Sequence, residues 1–99
     1  MTIALLIHAP TATALKRGRN NLRNLLKEEP DAKIELVANG EGVLQALSSP
    51  DPEVDQFLVL CENSLRSANL VAPDEIRTVN AAVHHIALRQ SEGWGYFRA

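Results

Sequence analysis

Phe57-Leu58-Val59-Leu60-Cys61-Glu62-Asn63-Ser64-Leu65-Arg66 passes from an unbroken apolar run into a polar segment at the chain's single cysteine. The run from Phe57 to Leu60 has the length of a strand and is apolar on both faces, the pattern of a strand inside a parallel sheet. The residues after it read as the start of a short helix, with Asn63 or Ser64 as a candidate cap. A thiol at this junction lies at the carboxyl end of a buried strand, the edge where open α/β sheets hold their ligands. Backbone N–H groups and the positive end of a helix dipole gather there, and both favour the reactive thiolate.

The same alternation continues in both directions. Ile3 to Ile7 is a second apolar run, ended by His8-Ala9-Pro10, which reads as an exit loop. Thr13 to Glu28 is a helix with Leu15, Leu22, Leu25 and Leu26 on one stripe, and Pro30-Asp31 stops it. Ile34 to Ala38 is a strand, Asn39-Gly40 a turn, and Glu41 to Leu47 a short helix with Val43, Leu44 and Leu47 inward. Ser48-Ser49-Pro50-Asp51-Pro52 is a loop, because two prolines cannot continue a helix. Beyond the cysteine, Thr78 to Val83 is a short strand. His84 to Gln90 is a helix with Ile86 and Leu88 inward, stopped by Gly93. Trp94-Gly95-Tyr96-Phe97 is a closing aromatic strand, read as sealing the core or contacting another subunit. Strands alternating with helices predict an α/β sandwich around a mostly parallel five-stranded sheet with right-handed crossovers.

The totals narrow the function classes. A chain of 99 residues predicts one domain, residues 1–99, small enough for oligomerisation to help its stability. The net charge of −2 leaves no electrostatic footprint for nucleic acid. Lys16, Arg17, Arg19 and Arg23 form a local basic group, read as a solvated helix face. No apolar stretch has the length of a membrane span, and the N-terminal run lacks a basic region ahead of it. With one cysteine, these features predict a reducing cytoplasm and no disulfide framework.

Several polar groups collect at predicted strand ends: His8, Asn39, Cys61 with Asn63, and His84 with His85. His8 is the best acid/base candidate for Cys61. A metal is not expected: the adjacent His84 and His85 diverge on a helix, and no Cys-x-x-Cys or His-x-x-x-His pair exists. Gly-x-Ser-x-Gly, Walker and Gly-x-Gly-x-x-Gly motifs are also missing. Cys61 itself has a competing reading, since free cysteine is among the most buried residue types and often only fills space.

Two segments resemble the DsrE-like superfamily of small archaeal and bacterial proteins. Cys61-Glu62-Asn63-Ser64-Leu65-Arg66-Ser67-Ala68-Asn69-Leu70 resembles its cysteine motif. Arg89-Gln90-Ser91-Glu92-Gly93-Trp94-Gly95-Tyr96-Phe97-Arg98 resembles the C-terminal signature of the same branch. Asn21 and Asn24, and Glu35 to Gly40 with Val43, fit its N-terminal half. The resemblance implies a flavodoxin-like three-layer α/β/α sandwich and homo-oligomers, often trimers or hexamers. It also implies that Cys61 carries sulfur as a persulfide between donor and acceptor proteins, without a cofactor. Asn63, Ser64 and Arg66 match the motif, and His8 is added from the residue reading.

Three functions follow as expectations. The first is a cytoplasmic sulfur carrier in which Asn63 and Arg66 stabilise the anion and His8 shuttles a proton. The second is a non-catalytic homo-oligomeric module that binds a ligand or partner while Cys61 is merely packed. The third is a redox sensor that forms an intermolecular disulfide or a glutathione adduct.

Overall fold

The computed structural model describes residues 2–99, so Met1 of the N-terminal run lies outside it. In chain order its elements are β1 (Ala4–Ala9), α1 (Ala12–Glu28), β2 (Lys33–Ala38), α2 (Glu41–Ser48), β3 (Leu58–Cys61), α3 (Glu62–Ser67), β4 (Arg77–Val79), α4 (Ala82–Ser91) and β5 (Gly95–Arg98). All strand pairings are parallel. The five-stranded sheet runs in the order β4-β3-β2-β1-β5. The result is a three-layer, flavodoxin-like α/β sandwich. No helix among the described residues is long and apolar enough to cross a membrane.

That strand order decides where the helices lie. From β1 to β4 the chain steps in one direction across the sheet, and right-handed crossovers then place α1, α2 and α3 on the same face. Leu15 and Leu22 of α1, Val43 of α2 and Leu65 of α3 pack there on Ile7, Leu36, Leu58 and Leu60. The chain reverses only after β4 and returns to β5 beside β1, so its connecting helix α4 crosses the opposite face. Ala82 and Ile86 of α4 meet Leu6, Val37, Val59 and Cys61 there. Thus successive residues of β3 serve different layers, as the period-2 geometry of a strand requires.

Several local expectations are corrected. His8 belongs to β1, where it pairs with Val37 and Arg98, and not to an exit loop. Phe57 ends a short 3₁₀ turn (Asp55–Phe57) ahead of β3. The fourth strand is shortened to Arg77–Val79, because α4 already begins at Ala82. Leu44 and Leu88 are exposed; Ala46 and His85 take the inward places instead. The closing aromatics do not seal the core: Tyr96 and Phe97 remain 42% and 44% exposed on an edge strand, and only Trp94 packs on the α4-side cluster.

The basic group of α1 is a solvated face only in part: Lys16 and Arg17 are exposed, whereas Arg19 is buried. Arg19 lies one turn after Leu15, so it falls on the buried stripe. Its guanidinium donates to the Ala46 and Ser49 carbonyls at the end of α2 and to Asp55 Oδ1 at 2.9 Å. A cation suits these carbonyls, where the helix dipole is negative. Arg23 holds Asp51 and Glu53, and Arg17 donates to the Ala99 carbonyl. Three arginines therefore fasten the Pro50–Pro52 loop and the last residue to α1.

Candidate functional site

Cys61 closes β3 and is also the residue on which α3 begins. The helices after β3 and β4 leave to opposite faces of the sheet. This is the switch-point arrangement at which open α/β sheets bind ligands. The Cys61 side chain lies on the α4 face, 5% exposed. Burial pushes its pKa up, but the Ser64 N–H, the Ser64 hydroxyl and the N–H groups of Ala82 and Asn63 favour the anion more. The thiol pKa ends below its ordinary value. The donors come from the first turns of α3 and α4, which converge on one sulfur from opposite layers.

Ser64 is well set for this task. Its Oγ accepts the Gly40 N–H at 2.8 Å, which leaves its own O–H free to donate. Gly40 reaches that position with φ of +53°, a conformation that glycine adopts without strain. Gly42 is required just beyond it, because a Cβ there would stand 2.2 Å from the Ala9 carbonyl oxygen. The Asn39-Gly40-Glu41-Gly42 turn thus brings α2 close to β1 and supplies the support for Ser64.

The remaining candidates divide into two groups. Asn63 donates its N–H to the Asn80 carbonyl and so links the ends of β3 and β4. Arg66 directs its guanidinium to the Asn63 side chain and to Glu62, 3.9 Å away. It therefore neutralises the carboxylate next to the cysteine. His8 has both ring nitrogens engaged elsewhere: Nε2 with Asn39 Oδ1 at 2.8 Å and Nδ1 with the Tyr96 hydroxyl at 2.6 Å. His84 is exposed, whereas His85 is buried against Glu35. Among the described residues no group of three or more His, Cys, Asp or Glu side chains is placed to hold a metal ion.

Two hollows are lined by residues around Cys61, which itself lines neither. One, of about 430 Å³, lies between α2 and α3 and is lined by Gly40, Asn63 and Ser64. The other, of about 310 Å³, lies between α4 and the β1–β5 side of the sheet, lined by His8, Asn39, Ala82, Ile86 and Tyr96 among others. Asn63 and Ser64, whose N–H groups favour the Cys61 anion, line the first hollow, and Ala82 lines the second.

Sequence reasoning missed Tyr96 as a partner of His8 and missed the polar centre under α4. There Glu35 accepts from His85 Nε2 at 2.7 Å, from Arg77 at 2.6 Å and from Arg89 at 2.9 Å. Arg89 also stacks over Trp94, 4.7 Å from the ring centroid. A glutamate in the middle of the otherwise apolar β2 run was the available signal.

No protein-family model matches the chain, and no curated protein does. Among solved structures it is similar to a protein of unknown function, MTH1491, from Methanobacterium thermoautotrophicum. The two are 25% identical and superpose with a TM-score of 0.76, over 99% of this chain and 98% of the other.

Proposed function

We propose that this protein is a small cytoplasmic sulfur carrier that holds sulfane sulfur on Cys61 as a persulfide. The observation that carries this reading is the Cys61 sulfur at the end of β3, faced by donors from the first turns of both α3 and α4. The resemblance of Cys61 to Leu70 and of Arg89 to Arg98 to DsrE-like segments supports the same chemistry. The Cys61 thiolate attacks the outer sulfur of a donor persulfide, R–S–SH. The donor's S–S bond breaks, the donor leaves as the thiolate R–S⁻, and Cys61 keeps the sulfur and its proton as Cys–S–SH. No external oxidant or reductant is consumed. Transfer to an acceptor thiolate repeats the step in reverse, and the N–H groups of Asn63, Ser64 and Ala82 stabilise the regenerated anion. The carrier works as a homo-oligomer, a trimer or hexamer, in which a neighbour covers the exposed Phe97.

The test is intact mass spectrometry of wild type and Cys61→Ser after exposure to inorganic polysulfide. The expected result is a gain of one sulfur atom, reversed by reductant and missing from the variant. A Cys61 that gains no sulfur and also resists iodoacetamide would overturn the reading. Light scattering checks the assembly, which a monomeric mass would refute.

The near-complete burial of Cys61 favours a second reading, a non-catalytic homo-oligomeric ligand- or partner-binding module. In that case Cys61→Ser leaves the protein's binding unchanged.

A further inference from the structure

We propose that the hollow between α4 and the β1–β5 side of the sheet binds a small organic acid through its carboxylate. This gives the binding-module reading a ligand class and does not require Cys61 to react. The hollow has a polar side, His8, Asn39, Tyr96 and Gln90, and an apolar wall, Ala82, Val83 and Ile86. No carboxylate lines it. The three residues on the sheet side come from β1, the end of β2 and β5, and hydrogen bonds lock them together.

The lock fixes which donors remain. Asn39 Oδ1 accepts from His8 Nε2–H, so the Asn39 amide N–H groups are free to donate. His8 Nδ1 then accepts the Tyr96 O–H. Arg98 lies in register with His8 on the same face of the sheet. It is exposed and forms no ion pair among the described residues. The Asn39 and Gln90 amides thus border a space that holds no compensating negative charge, and the Arg98 guanidinium belongs to the same sheet face beside His8, a set of donors that a carboxylate matches. The apolar wall selects an organic body over an inorganic anion. Val83, 77% exposed although it lines the hollow, is the part that such a body would cover.

The test uses amide and side-chain NMR on the full chain with butyrate, benzoate and phenylacetate. The matching amides and inorganic phosphate serve as comparators. Shifts should centre on His8, Tyr96, Val83 and Gln90 for the acids and be weaker for the amides and phosphate. Arg98→Gln, a surface change, should weaken acid binding about tenfold, the loss expected for one charge-assisted contact. Cys61→Ser should bind as wild type does, whatever its behaviour with polysulfide. Three outcomes each overturn the proposal: no shifts at these residues from any acid, amides or phosphate binding as well as the acids, or an Arg98→Gln variant that binds unchanged.

Discussion

The Ser64 hydroxyl takes a hydrogen bond from the Gly40 peptide at 2.8 Å and is among the groups that lower the Cys61 pKa, so one side chain connects a turn to the thiol's electrostatics. Removing it tests the electrostatics of the site without touching the nucleophile. Ser64→Ala should move the Cys61 pKa upward, and iodoacetamide alkylation at neutral pH should slow several-fold, since a hydrogen bond to a charged group contributes about 1.5–3 kcal/mol. The pH–rate profile reads the change, and an unshifted profile would mean that the backbone N–H groups alone set the pKa. Cys61 and Ser64 were legible in the sequence because an apolar run ending at a cysteine has few structural readings. Tyr96 was not, because its partner His8 is 88 residues away and only the reversal of the chain after β4 places β5 beside β1.

Helix α4 shows what elements add to residues. It has little apolar surface of its own, with His85 inward and Val83 and Leu88 outward, and periodicity placed Ile86 inward correctly but Leu88 wrongly. Glu35 fastens it to the sheet through His85 and Arg89, while Arg77 joins from β4. Glu35→Gln should cost about 3–5 kcal/mol in denaturant unfolding, the usual result of stripping one partner from a buried ion pair. Arg77→Ala should cost under about 1 kcal/mol, because its side chain is 52% exposed and water replaces the carboxylate. Equal losses in the two variants would show that the pair to α4 has no special weight. Helix α2 depends instead on a missing side chain. Gly42→Ala would press a Cβ into the Ala9 carbonyl, and a loss of about 1–3 kcal/mol is expected on overpacking grounds. The Asn39–Gly42 turn could be read from its glycines, but the need for Gly42 lies in β1, which no local pattern reports.

Across the whole molecule the sheet is covered unequally, three helices on one face and, among the described residues, α4 alone on the other. The alternation of runs gave the layers and the parallel sheet, whereas the order β4-β3-β2-β1-β5 had to come from long-range pairing. One consequence is that Glu35 is the carboxylate that joins the thinly covered face to its helix, so acid should loosen that layer. Burial raises the Glu35 pKa, but the bonds from Arg89 and His85 lower it further, and the net shift is downward. A carboxylate with a depressed folded pKa contributes stability that is complete above its unfolded pKa, about 4.3, and disappears as pH falls through the folded value. Wild type should therefore lose melting temperature relative to Glu35→Gln as pH drops below about 4.5, even though the variant is the less stable protein at neutral pH. The two melting curves should approach each other in acid. A constant gap from neutral pH to pH 2 or so would mean that Glu35 is not titrating against α4, and that packing of Ala82, Ile86 and Trp94 holds the helix instead.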